Sequence, residues 1–314
     1  VQKNVEFGRL GLAVVDEQHR FGVEQRLAFG KKGERPDVLL MSATPIPRSL
    51  ALTVYGDLDV SVLDELPPGR QPVTTVRRPE KARAKVYDFI DSQLEKGRQT
   101  FLVFPLIDES DKVALKAATK GFEELRVGRF AHRRLELLHG RMESDAKDEV
   151  MRRFRDGEVD LLVSTTVIEV GIDVPNATVM VVEHPERFGL SQLHQLRGRV
   201  GRGAEESFCI LLGDVSPESA ERLSVVVDTN DGFKVAEADL RMRGMGDLFG
   251  QRQHGEATFK VANPFRDLEL NELSREAAGR LLERDPNLAS KENAPIQSVL
   301  KRRYARALEL FRVG

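Results

Sequence analysis

Asp16 and Glu17 stand directly after the apolar run Leu10-Gly11-Leu12-Ala13-Val14-Val15, in the order Asp16-Glu17-Gln18-His19. Such a run predicts a buried strand, and two carboxylates at its carboxyl end stand where nucleoside triphosphate motors hold Mg²⁺. Asp16 suits an ion held through water, and Glu17 suits orienting or polarising the attacking water. Alone, the pair reads as readily as a solvated loop start or a helix cap. A second apolar run, Val38-Leu39-Leu40-Met41, leads into the hydroxyl-rich turn Ser42-Ala43-Thr44-Pro45. Two neighbouring strands then deliver carboxylates and the Ser42 and Thr44 hydroxyls to one crevice.

The most specific constellation is Gln195-Leu196-Arg197-Gly198-Arg199-Val200-Gly201-Arg202, expected on a helix that opens after Gly189. Arg199 and Arg202 are three apart, so a helix projects them from one side, while Gly198 and Gly201 permit close approach to the backbone. Two such arginines fit a γ-phosphate. Arginine fingers contribute roughly 10³ to 10⁵ in rate, or about 4 to 7 kcal/mol, so loss of either is expected to abolish turnover. The chain nevertheless contains no Gly-x-x-x-x-Gly-Lys-[Ser/Thr] loop. Gly30-Lys31-Lys32-Gly33 comes nearest, but it lacks the hydroxyl, the glycine spacing and a preceding strand. Half of a nucleotide site is present. The chain opens on Val1, about nine residues before the first strand, too few for a strand, loop and helix, so a truncated start is expected.

The elements that must position these residues alternate along the chain. Phe101–Phe104, Leu135–Leu138, Leu161–Val163, Val179–Val182 and Phe208–Leu212 read as further buried strands of parallel type. Helical patterns over Pro79–Lys96, Ser144–Arg155 and Leu190–Arg199 lie between them. That order predicts doubly wound α/β sheets whose ligands sit at the carboxyl ends of the strands. Leu66-Pro67-Pro68-Gly69-Arg70-Gln71-Pro72 is the best linker in the sequence. Two amphipathic helices, Leu268–Arg284 and Ile296–Arg312, are expected in the tail, with Leu300, Tyr304, Leu308 and Phe311 assigned to packing.

A length of 314 residues suits about two domains, and 40% hydrophobic with 31% charged residues describes a globular protein with real cores. The net charge of −2 gives no global attraction to a polyanion, so any such binding comes from local arginine and lysine clusters. Cys209 is the single cysteine, which excludes disulfides and cysteine zinc sites within the chain and suits a reducing cytoplasm. No apolar stretch reaches the roughly 18 residues of a membrane span, and no leader pattern opens the chain. With no Trp and three Tyr, nucleic acid is expected to be tracked along its backbone rather than stacked.

Together these boxes resemble superfamily 2 helicases and translocases, which imply two RecA-like lobes with ATP and Mg²⁺ between them. Ser164-Thr165-Thr166-Val167-Ile168-Glu169-Val170-Gly171-Ile172-Asp173-Val174-Pro175 is similar to that superfamily's fifth motif. The resemblance implies Thr165 for the nucleic-acid backbone and Gly171, Asp173, Gln18 and Gln195 for the nucleotide side. It implies that His19 links the nucleotide to the second lobe, and that His139-Gly140-Arg141 is a second backbone-contacting turn. Ser42 to Arg48, Tyr55 to Ser61, Asp64 to Arg70, Arg187-Phe188-Gly189 and His194 narrow the resemblance to the RecG family of bacterial branch-migrating helicases. The related transcription-repair coupling factor shares Pro45-Ile46-Pro47-Arg48 and stays as the nearer alternative, with a non-catalytic nucleic-acid-binding module as the alternative of another class.

Asp239 to Gly255 holds four glycines and three arginines, so a helix ending near Arg243 and an arginine-bearing loop are expected, because interior glycine costs about 1 kcal/mol against alanine. Resemblance to the family's translocation motif implies that Arg241, Arg243, Gln251 and Arg252 convert lobe closure into movement along duplex DNA. The domains implied are 1–70, the end of a first RecA-like lobe; 71–215, the second lobe; 216–256, a translocation hairpin and loop; and 257–314, a helical segment. The family further implies double-stranded and branched DNA as partners, single-stranded DNA-binding protein as another, a monomer, no membrane, and a cytoplasmic, nucleoid-associated location. A chain without its phosphate loop is expected not to hydrolyse ATP alone.

Overall fold

The computed structural model describes residues 9–16, 36–42, 61–63, 65, 70–105, 111–165, 173–250 and 267–311, and of 111–117, 243–250, 268, 271–272 and 303–311 the backbone alone. The chain divides into two compact units, Val1–Ser61 with Gln251–Gly314, and Val62–Gly250. In the first, β1 (Leu12–Val15) pairs in parallel with β2 (Asp37–Leu40), Val15 opposite Leu40. Ala13 and Val15 are buried while Leu12 and Val14 are exposed, the two-residue alternation of a strand covered on one face.

The second unit is built on six strands: β3 (Val73–Arg78), β4 (Gln99–Val103), β5 (Leu135–Leu138), β6 (Leu161–Ser164), β7 (Ala177–Glu183) and β8 (Ser207–Leu212). All pairings are parallel, in the order β3-β8-β7-β4-β6-β5. The connections hold α1 (Arg83–Glu95), α2 (Asp111–Val127), α3 (Ser144–Arg155), α4 (Leu190–Arg197), α5 (Pro217–Asp228) and α6 (Gly232–Gly250). Every residue of β4, β6 and β7 is buried, which is why these strands are nearly continuous apolar runs rather than alternating ones. Successive side chains enter opposite cores. Phe101, Met180 and Leu211 meet Phe154 of α3 and Leu193 of α4, whereas Leu102, Val181 and Ile210 meet Ile90 of α1 and Leu125 of α2.

The doubly wound α/β expectation holds in this unit, and the expected strands are present. β3 and α2 are additional. β3 is hard to read because four of the six residues Val73-Thr74-Thr75-Val76-Arg77-Arg78 are polar and the run directly follows a proline-rich segment. An ion network ties α1 to the carboxyl end of β7. Arg83 Nη1 donates to Glu183 Oε1 at 2.5 Å and Nη2 to Oε2 at 2.8 Å, while Nη1 also reaches the Tyr87 hydroxyl at 2.8 Å. Glu80 accepts from the same guanidinium at 2.6 and 2.8 Å. Glu80 and Glu183 hold Arg83 above its ordinary pKa.

The tail holds α7 (Leu268–Arg284) and α8 (Ala294–Phe311). Asp285 between them accepts hydrogen bonds from the Ala289 and Ser290 amides and from Asn293 Nδ2, which hold its carboxyl below the usual range. The packing role expected for Tyr304, Leu308 and Phe311 concerns side chains outside the described residues. Among the described residues no helix is long and apolar enough to cross a membrane, and no group of His, Cys, Asp and Glu could hold a metal.

Candidate nucleotide and nucleic-acid site

In the first unit the parallel register brings the ends of β1 and β2 together, and the Met41 amide donates to Val15 O at 2.8 Å. Asp16, which is exposed, and Ser42, half-buried, therefore leave the carboxyl edge of adjacent strands. Carboxylate and hydroxyl at one sheet edge fit a hydrated Mg²⁺ and its nucleotide. Glu17, Gln18, His19 and Thr44 lie outside the described residues.

In the second unit Leu138 is opposite Ser164, so the turn after β5 and the residue after β6 are neighbours at the carboxyl edge. The Thr165 amide donates to Leu138 O at 3.2 Å, and the Met142 amide closes the turn onto His139 O. Gly140 and Arg141 are exposed on that turn. Lys147, one turn into α3, donates from Nζ to Gly140 O at 2.8 Å and fixes it. Thr165 is 2% exposed, yet among the described residues its hydroxyl has no hydrogen-bond partner, and neither do Ser164 Oγ and His139 Nδ1. Buried polar atoms are paired in most folded proteins, and these three share one sheet edge, although Thr100 Oγ1, Thr178 Oγ1 and Glu186 Oε2 elsewhere in the unit are orphaned too. Desolvation, with the charges of Lys147 and Arg141, pushes His139 below its ordinary pKa, so it is neutral there. Sequence reading missed Ser164 and Lys147. A lysine early in the helix that follows His139-Gly140-Arg141 is the signal that could have found the second.

The arginine box departs from expectation twice. The helix stops at Arg197, so Arg199 and Arg202 share no helical face. Beyond it the backbone tightens into turns, the Arg199 amide donating to Leu196 O and the Val200 amide to Arg197 O, and Gly201 follows with a φ of +74°, where an added Cβ comes 2.7 Å from Val73 Cγ2. The box also lies at the amino ends of the strands, since Arg202 precedes β8 and Asp173 precedes β7, so the carboxyl-edge rule does not extend to it. Arg202 Nη1 stands 3.4 Å from Asp173 Oδ1, and its Nε donates to Gly198 O at 3.2 Å. Two of the expected nucleotide-side residues thus meet. Arg199 is half-buried, and so is Gln195 on α4. Gly203 closes the loop against Pro175, whose carbonyl an added Cβ would approach to 2.8 Å. Gly171 lies outside the described residues.

Arg197, passed over by the sequence reading, is 3% exposed. Its Nη1 donates to Val226 O at 2.7 Å and Thr229 O at 2.8 Å, and its Nη2 meets His194 Nδ1 at 2.9 Å. Burial, then the Arg197 charge, pushes His194 down to about 4, which leaves it neutral and able to accept.

The helix expected to end near Arg243 continues to Gly250, through Gly244 and Gly246. Its first half is anchored, with Val235 in the core and Asp239 Oδ2 accepting from Ser191 Oγ of α4 at 3.0 Å, and tertiary packing offsets a glycine cost of about 1 kcal/mol each. Arg241 is exposed on this helix. The Arg243 side chain, Gln251 and Arg252 lie outside the described residues.

Residues 81–204 match the helicase conserved C-terminal domain, and residues 229–309 match domain 3, C-terminal, of ATP-dependent DNA helicase RecG. RecG of Thermotoga maritima is 55% identical over 277 residues, covering 88% of this chain and 36% of the relative. RecG of Escherichia coli is 50% identical over 295 residues, covering 92% and 42%. The chain thus spans about two-fifths of the length of the curated relatives it matches. A solved structure of RecG bound to a three-way DNA junction is 50% identical with a TM-score of 0.66, covering 86% of this chain and 34% of that one. The helicase MrfA bound to DNA and AMPPNP, 18% identical with a TM-score of 0.52 over 82% of this chain and 43% of that one, shares the fold alone. With a RecA-like sheet, two family matches and an identity near one half over most of its length, the chain is similar to part of the RecG helicases.

Proposed function

We propose that the chain is the motor portion of a RecG-type ATP-dependent DNA helicase, which translocates on duplex DNA and remodels branched DNA in repair and recombination. One observation carries this reading. A single parallel sheet bears Arg202 with Asp173 at its amino edge and orphaned Thr165, Ser164 and His139 at its carboxyl edge. The solved RecG on a three-way junction supports branched DNA as the substrate.

Bound ATP with Mg²⁺ supplies the phosphoryl group whose transfer to water drives the motor. Asp16 would hold the ion, Glu17 would align the attacking water, and Gln18, His19, Ser42, Thr44, Gln195, Gly171 and Asp173 would bind the nucleotide. Arg199 and Arg202 neutralise charge developing on the γ-phosphate. Thr165 and the His139-Gly140-Arg141 turn hold DNA phosphates, a mode without sequence preference. Arg241, Arg243, Gln251 and Arg252 carry movement to the duplex. The functional division is 1–70 for the first lobe, 71–215 for the second, 216–256 for the translocation element and 257–314 for a helical segment. The protein works as a cytoplasmic, nucleoid-associated monomer beside single-stranded DNA-binding protein.

The test is ATP-dependent unwinding of a synthetic three-way junction by the full-length protein. Junction unwinding without displacement of stalled RNA polymerase is expected. Polymerase displacement without unwinding would assign the chain to the coupling-factor type instead, and binding without ATP hydrolysis would reduce it to a nucleic-acid-binding module.

A further inference from the structure

Arg197 is buried, and among the described residues no carboxylate pairs with it. A buried guanidinium is costly unless its donors are met. Here they are met by the carbonyl end of α5, at Val226 O and Thr229 O, and by the neutral ring of His194. Val226 lies in the last turn of α5 and Thr229 follows it, so the positive charge sits on the negative end of that helix dipole. Arg197 is itself the last residue of α4. One side chain therefore fastens the ends of two helices, and each end opens a segment the proposed motor uses. Gly198 to Gly203, with Arg199 and Arg202, begins at the next residue. Three residues after Thr229, α6 begins and carries Arg241.

A second fastening lies at the other end of α4, where Ser191 Oγ donates to Asp239 Oδ2 of α6 at 3.0 Å. α4 is thus held at its first turn to α6 and at its last turn to the α5 end from which α6 departs. We propose that Arg197 is a positioning residue that sets the arginine loop against α6, with the Ser191–Asp239 bond as its partner fastening. It touches no substrate. Its effect on catalysis passes through where Arg199 and Arg202 stand, and its effect on translocation passes through α6. This rests on the motor reading above.

The experiment uses the full-length protein with R197M, R197K and S191A, measuring kcat and KM for ATP on junction DNA, junctions unwound per ATP hydrolysed, and thermal unfolding. R197M is expected to lower kcat at least tenfold at temperatures where it is folded, with KM for ATP within about twofold. R197K, which keeps a cation able to reach one carbonyl, is expected to recover part of that loss. S191A is expected to keep ATP turnover within about twofold while unwinding per ATP falls at least threefold. Wild-type kcat in folded R197M, or a kcat loss that merely follows melting, overturns the proposal. Should R197M fail to fold, S191A decides, and unwinding per ATP equal to wild type overturns it. An inactive wild-type protein would instead remove the motor reading itself.

Discussion

Replacing Arg83 by Met isolates the most demanding electrostatic feature of the second unit. Glu183 has a side chain only 1% exposed, and the Arg83 guanidinium, itself 29% exposed, meets both of its oxygens. Removing the cation leaves a carboxylate in the interior with no compensating charge. Breaking a buried pair from one side costs about 3 to 5 kcal/mol, and the partial exposure of Arg83 puts the expectation at the lower end, about 3 kcal/mol. For a unit of this size that corresponds to a fall in Tm of roughly 6 to 12 °C. Thermal unfolding followed by circular dichroism measures it. R83M with E183L, which removes both charges, should recover much of the loss, because no unpaired ion stays buried. An R83M Tm within 2 °C of wild type would refute the reasoning.

Thr165→Val should leave Tm unchanged or slightly raised, since its buried hydroxyl has no partner to lose, while DNA affinity falls in a titration at fixed salt; a clear loss of stability would mean the hydroxyl serves the fold. Gly201→Ala should cost roughly 1 to 3 kcal/mol in urea denaturation through its left-handed backbone and the contact with Val73, and an unchanged midpoint would show that the loop relaxes freely. The Cys209 thiol, pushed up to about 12 by complete burial, should resist a thiol reagent at pH 8 in the folded protein and react once urea unfolds it; prompt native-state modification would contradict that burial.

The outline of the fold could be read from particular residues. Phe101 to Phe104 and Val179 to Val182 are apolar throughout because both faces of the sheet are covered, and this period is visible in sequence. β3 could not be read so, as its buried positions are Val73 and Thr75, a valine and a threonine, at the sheet edge next to β8 alone. The arginine box shows where residue type and spacing stop being informative. Arg197, Arg199 and Arg202 are chemically identical, and a helix through all of them is the simplest reading of their spacing. Which one is buried depends on carbonyls at Val226 and Thr229, about thirty residues further along the chain. The same holds for α6, where Gly244 and Gly246 argue for an early end and packing on α4 prevails. Neighbourhood at the carboxyl edge was legible only in part. Thr165 and His139 were named by resemblance, but their adjacency follows from β5 pairing with β6.

The central claim is that this chain carries the arginines that complete a nucleotide site, and Arg202 beside Asp173 is its most exposed commitment. The direct measurement is DNA-stimulated ATP hydrolysis by the full-length protein carrying R202A, alongside its affinity for a three-way junction. Turnover is expected to fall by roughly 10³-fold or more with junction binding kept within a few-fold of wild type. Turnover within tenfold of wild type would contradict the account.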